Sequence, residues 1–211
     1  MKVVTLVGGV GGAKLAYGLS RIVPPEDLTI IVNTADDFWH YGLRICPDLD
    51  TITYTLSGLV DPVNGWGLAE DTTQMLEALR RYGEDAWFRL GDRDLATHLI
   101  RSERLRNGER LTSVTAYLTG KLGILPAILP MTDEPVATKV MTLEHGELDF
   151  QTYFVRHRWQ PVVTALRLDG LEQASLTSEC RRALERADII LIGPSNPWLS
   201  IDPILALPGV R

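Results

Sequence analysis

Residues 3–19 read VVTLVGGVGGAKLAYGL: a β-branched apolar run, four glycines in the five positions 8–12, then a helix-like run. β-Branched runs favour strands, and Leu15, Leu19 and Ile22 fall on one face of a helix over about 12–21. The succession predicts strand, glycine-rich turn and helix. LTIIV at 28–32 and DIILIG at 188–193 also read as strands. An unbroken apolar run implies burial on both faces, as in a parallel sheet covered by helices. Strands alternating with helices predict an α/β fold, a doubly wound and mostly parallel Rossmann-like sheet.

Pro47 suits the first turn of a helix over about 48–58. Asp71 reads as the cap of a helix through TTQMLEALRRYG, Asp92 as the head of RDLATHLIRSERLRNG, and Thr112 as the start of another helix. Together these predict a mainly helical insertion or cap over 60–125, within a single nucleotide-binding α/β domain spanning 1–211. VATKVMTL and PVVTALRL read as strands, while ELDFQTYFVRH between them suits either helix or strand. TSECRRALERA is a helix capped by Thr177 or Ser178. The final SNPWLSIDPILALPGVR starts a loop and a short helix at which the chain stops, so a C-terminal part is expected to be missing.

With 211 residues, 45% of them hydrophobic, the chain can bury one substantial core. A net charge of −6 argues against non-specific nucleic-acid binding, which needs a basic face. Cys46 and Cys180, far apart in sequence, read as two free cytosolic thiols. There is neither a secretory signal nor an apolar run of about 20 residues, which predicts a cytoplasmic protein.

The glycines 8–12 do not fit Gly-x-Gly-x-x-Gly, since the third position counted from Gly9 and Gly11 is Lys14. Neither do they fit a Walker loop, because Lys14 is followed by Leu15. What remains is the shared physics: a helix N-terminus with free amides aimed at an anion. Gly9, Gly11, Gly12 and Lys14 are therefore candidate phosphate contacts. Directly after the second strand, Asp36, Asp37, Asp48 and Asp50 lie within fifteen residues. Carboxylates beside a phosphate would repel it unless a divalent cation sat between them, which suits magnesium. Asp36, Asp48 and Asp50 are the candidate ligands, with Asp37 and Asp50 as candidate catalytic residues. GPSNPWLS follows the last strand, so its Ser195 and Asn196 should meet the glycine loop at one edge of the sheet. Arg44, Arg89 and Arg93 join Lys14 as cations able to reach an anionic substrate. His40 and His98 could serve as bases, but a lone histidine is more often structural, and no spacing suggests covalent catalysis.

With GGVGGAKLAYGL, VNTADDFWHYGLRICPDLDT, WFRLGDRDLATHL, LTGKLGI, ILPMTDEPVAT and IGPSNPWLSIDPIL in family order, the sequence resembles the 2-phospho-L-lactate transferases of coenzyme F-420 biosynthesis. Members of that family are longer at the C-terminus. The resemblance implies transfer of a phospho-three-carbon acid, 2-phospholactate or enolpyruvyl phosphate, from a guanosine diphosphate donor. The acceptor would be the ribityl hydroxyl of the deazaflavin Fo (7,8-didemethyl-8-hydroxy-5-deazariboflavin), with GMP released and magnesium required. It implies Fo contacts at Asp50 and Arg89, and a homodimer. A non-catalytic nucleotide-binding regulator resembling gluconeogenesis factors is the alternative. An NAD-dependent oxidoreductase is disfavoured by the broken glycine pattern.

Overall fold

The computed structural model describes residues 1–210. Strand β1 (Val3–Val7) runs through the glycines into helix α1 (Gly9–Ser20). The chain returns through β2 (Leu28–Val32), which pairs in parallel with β1. A hairpin of β3 (Phe38–His40) and β4 (Leu43–Ile45) leads into α2 (Pro47–Leu56). Helices α3 (Gln74–Arg81), α4 (Asp94–Arg106) and α5 (Leu111–Lys121) follow, all between residues 60 and 125. Then come β5 (Ala127–Pro130), β6 (Ala137–Thr142), β7 (Gly146–Asp149), β8 (Val163–Asp169), α6 (Ser178–Glu185), β9 (Ile189–Ile192) and the short α7 (Asp202–Ala206).

The central sheet is parallel, in the order β5-β2-β1-β9. Successive strand residues point to opposite faces, so β1 sends Val3 and Val7 one way and Val4 and Leu6 the other. On one side they meet Ala13, Ala16 and Leu19 of α1 and Leu49 and Ile52 of α2. On the other they meet Met131, Val136, Cys180 and Ile204. Each Val, Leu, Ile or Met among them removed from water contributes about 1.5–3 kcal/mol, so both faces of β1 and β2 drive folding. The α/β reading with a parallel central sheet is thus the observed architecture. A second, antiparallel sheet has the order β7-β6-β8. The ambiguous ELDFQTYFVRH divides: its start completes β7, and Thr152–Arg156 form a π-helical turn.

Two expectations are corrected. DIILIG is not buried on both faces: among the described residues β9 pairs only with β1, and Ile189, Ile190 and Ile192 are 38%, 50% and 60% exposed. An apolar run identifies a strand but not its number of neighbours. The caps of α3 and α4 are exchanged. Asp92 accepts from the amides of Gln74 and Met75 at the head of α3, whereas Asp71 accepts from Arg93 and Asp94 at the head of α4. Gly91 permits this, since a Cβ there would overlap the Asp71 carboxylate. Helix α5 begins where expected, one residue before Thr112, and Asp133 caps it by accepting from the Thr112 amide at 2.7 Å and hydroxyl at 2.8 Å.

Candidate active site

In the order β5-β2-β1-β9 the direction of winding reverses between β1 and β9, and ligands of doubly wound folds bind outside the strand ends at such a point. The two loops there interlock. Ser195 Oγ accepts from the Gly8 amide at 3.1 Å and donates to the Gly8 carbonyl at 2.6 Å. A Cβ on Gly11 would run into the Pro194 carbonyl, and Gly9 sits at φ +59°, in the left-handed region that favours glycine. Close packing of two loops and one reversed dihedral account for much of the glycine density. The Gly9 amide, at the head of α1, donates to Asp48 Oδ1 at 2.7 Å. Asn33, fully buried after β2, ties three loops together: its Nδ2 donates to Asp48 Oδ2 at 3.0 Å and to the Leu199 carbonyl, and its Oδ1 accepts from the Ala35 amide.

A cavity of about 470 Å³ opens in front of these loops. Its wall includes Gly9, Asp36, Asp48, Asp50, Arg89 and Asn196, so residues expected to act together from five separate places in the sequence share one space. Burial drives the Asp36 carboxyl well above its ordinary range, and the neighbouring Asp48 adds to the rise. Burial likewise raises Asp48 to about 6, against hydrogen bonds from Asn33 and Gly9 that favour the charged form. Two buried carboxylates that repel one another are a fitting cradle for a cation. Among the described residues, no group of three or more His, Cys, Asp or Glu side chains is arranged to hold a metal. A cation here would therefore draw on this pair and on ligand or water oxygens, an arrangement magnesium prefers.

Asp50 is placed differently. Its carboxylate is gripped by Arg101, whose Nη1 donates to Oδ2 at 3.1 Å while Nη2 donates to Oδ1. Arg101 is 2% exposed and also donates to the Arg44 carbonyl. Burial works against the guanidinium charge, but Asp50, Cys46 and Tyr54 together raise its pKa. Beside this pair, His98 Nε2 lies 3.1 Å from Asp94 Oδ2, and Tyr54 donates its hydroxyl to Asp94 Oδ1. Burial pushes the Asp94 carboxyl up, yet the His98 and Tyr54 contacts leave it below the usual value. Arg89 stacks its guanidinium 5.7 Å from the Trp66 ring centre, and Trp66, Phe88 and Phe154 supply an aromatic wall. The chamber thus has an acidic end at the glycine loop and a largely apolar end able to take a flat ring.

Other candidates lie outside the cavity wall. Lys14 is exposed on α1, and Gly11, Gly12 and Ser195 serve the loop-to-loop packing. Asp37 is buried behind the wall, 3.5 Å from Arg44; burial lifts its carboxyl to about 7 although Arg44 opposes the rise. His40 is enclosed by Phe38, Trp87 and Phe88. Sequence reasoning missed Arg101, His98 and Asp94 as a unit. Their signal was present: they stand at i, i+4 and i+7 on one face of α4. That helix buries His98, Arg101 and Ser102 while exposing Leu99 and Ile100. A helix that turns its polar residues inward marks a built site.

The family model described as 2-phospho-L-lactate transferase CofD matches residues 3–211. The chain belongs to the CofD family. This CofD-family chain is 44% identical to the 2-phospho-L-lactate transferase of Methanosarcina mazei, over 97% of its own length and 67% of that protein. It is 42% identical to the phosphoenolpyruvate transferase of Mycobacterium ulcerans, over 100% of its own length and 69% of that protein. The chain therefore spans about two thirds of these relatives. Two crystal structures of a Bacillus halodurans protein, one titled as a member of the UPF0052 family, superpose with a TM-score of 0.67 at 18% identity. They cover 99% of this CofD-family chain and 63% of theirs, a likeness of fold alone. Among the described residues, no helix is long and apolar enough to cross a membrane.

Proposed function

We propose that the chain transfers a phospho-three-carbon-acid group, 2-phospholactate or enolpyruvyl phosphate, from a guanosine diphosphate donor to the terminal ribityl hydroxyl of the deazaflavin Fo. The oxygen of that hydroxyl forms a bond to the phosphorus next to the three-carbon acid. The bond from that phosphorus to the bridging oxygen breaks, GMP leaves, and the hydroxyl proton is released. The observation carrying this reading is one cavity that joins the glycine-loop acids Asp36 and Asp48 to the Asp50, Arg89 and aromatic end. Transferase-named relatives at 42–44% identity support the reaction class.

Phosphoryl transfer asks for positioning and charge neutralisation more than for a covalent nucleophile. Asp36 and Asp48 would hold magnesium, which when bound neutralises diphosphate charge. The loops at Gly9 and Asn196 frame the diphosphate end. Asp50, held in place by Arg101, accepts a hydrogen bond from the attacking chain and so orients it. Arg89 and Trp66 flank the deazaflavin ring. The aromatic wall has no evident use in a bare nucleotide-binding regulator, which favours the enzyme over that alternative.

The test incubates the protein with Fo, the guanosine diphosphate-linked acid and magnesium, and weighs the product. A mass equal to Fo joined to the phospho-acid, with one GMP released per product, is expected. Unchanged Fo alongside intact, soluble protein would reject the reading.

A further inference from the structure

We infer that Asp94 is a second binding residue of the acceptor end, taking a hydrogen bond from a hydroxyl of the acceptor's polyol chain, with His98 and Tyr54 as its positioning residues. The assignment rests on the functional reading above and deepens it.

Asp94 begins α4, where the helix dipole favours a negative charge. Its backbone is fixed because its amide donates to Asp71 Oδ2 at 3.0 Å. An arginine can only donate hydrogen bonds, and Arg101 Nη1 lies 3.3 Å from His98 Nδ1. Nδ1 is therefore the acceptor, and the imidazole proton sits on Nε2, which lies 3.1 Å from Asp94 Oδ2 but off the line of a hydrogen bond, so a small ring rotation would complete the contact. Tyr54 holds the other oxygen. Each carboxylate oxygen can accept two hydrogen bonds, so Tyr54 on Oδ1 and His98 beside Oδ2 leave acceptor capacity on both. The wall of the cavity includes Asp94, Asp50 and His98.

The two carboxylates, Asp50 and Asp94, are thus held by Arg101 and Tyr54, with the His98 ring packed beside Asp94. Toward the cavity they offer acceptors only. A ligand that satisfies them must bring O–H or N–H donors in a row, and a chain of vicinal hydroxyls does so. A second phosphate or carboxylate would be repelled. Burying a histidine, an arginine and two acids is costly without such a use, since an apolar replacement is often no less stable.

The experiment titrates intrinsic ligand fluorescence with two acceptors: Fo, and the same tricycle carrying a plain pentyl chain. Wild type, Asp94→Asn and Tyr54→Phe are compared, with circular dichroism as the folding control. Losing one hydrogen bond to a charged group weakens binding about tenfold or more. Asp94→Asn should therefore bind Fo about tenfold or more weakly yet bind the pentyl tricycle as wild type does. Tyr54→Phe should show a smaller loss confined to Fo. In turnover, KM for Fo should rise more than kcat falls. Equal losses for both tricycles, or none for either, would overturn the assignment while leaving the functional reading intact. Wild-type protein that binds neither tricycle would overturn both. Should Asp94→Asn fail to fold, wild type binding both tricycles equally tightly would by itself overturn the assignment, and a selective loss in Tyr54→Phe would support it.

Discussion

Replacing Arg101 by Met would leave the Asp50 carboxylate buried without its guanidinium, the costly way to disturb a buried ion pair. Such single deletions destabilise by about 3–5 kcal/mol, whereas removing both partners is often close to neutral. Urea unfolding should therefore show a loss of about 3 kcal/mol or more for Arg101→Met and recovery of much of it in the double variant with Asp50→Leu. Equal losses in single and double variants would mean that Arg101 acts through packing alone. The two thiols give a second test. Cys46 and Cys180 are buried, and burial pushes both up, Cys180 to about 12 against a hydrogen bond from Thr177. At pH 8 roughly one Cys180 in ten thousand would be thiolate. Ellman's reagent should find no reactive thiol in the native protein and two after unfolding. The same shift sets a pH limit: stability from the neutral thiols is intact below their ordinary value of 9.0 and is lost as pH climbs from there through the folded value. Fast native reaction at either cysteine would contradict this packing.

At the level of elements, the exchanged caps make a non-local prediction. Losing a capping aspartate costs about 1 kcal/mol. Asp92→Ala should speed hydrogen exchange at the amides of Gln74 and Met75, although Asp92 lies at the other helix's door. Asp71→Ala should do the same at Arg93 and Asp94. Faster exchange at the sequence-adjacent helix in either variant would restore the local caps. This case shows which parts of the fold a sequence can reveal. Apolar periodicity and the glycine turn are local signals, and they located β1, α1, β2 and the parallel sheet. A cap is a hydrogen bond, and an Asp can reach a helix head about twenty positions away once Gly91 lets the segments touch. The hairpin β3–β4 was not foreseen because NTADDFWHYG carries both turn residues and aromatics. The acids around Asn33 were visible as a cluster. Their division into a repelling pair, Asp36 with Asp48, and a clamped Asp50 depends on α4, some fifty residues downstream.

For the whole molecule, the two edges of the central sheet are unequal. On one side β5 ends in Pro130, which cannot donate to a further strand, and Ile128 and Pro130 are buried. On the other, β9 presents Ile189, Ile190 and Ile192 with no further strand beside it among the described residues. An exposed apolar edge with an unused hydrogen-bond ladder is a recognised route to self-association. The 211-residue chain should therefore bind an apolar dye such as ANS and scatter light increasingly with concentration. Charge placed on the edge should suppress this, since lysine is how natural sheets blunt their edges. Ile192→Lys alters the most exposed of these residues, and exposed substitutions usually change stability by no more than about 0.5 kcal/mol. It should lower both dye binding and scattering while leaving the unfolding midpoint in place. Leu191 packs toward the core shared with α1, so Leu191→Lys should instead unfold the protein and raise dye binding. If Ile192→Lys left scattering and dye fluorescence unchanged, the association would have to arise from another surface, such as the exposed Val162, Val163 and Leu166 around β8. Substituting those in the same assay would then separate the two sheets.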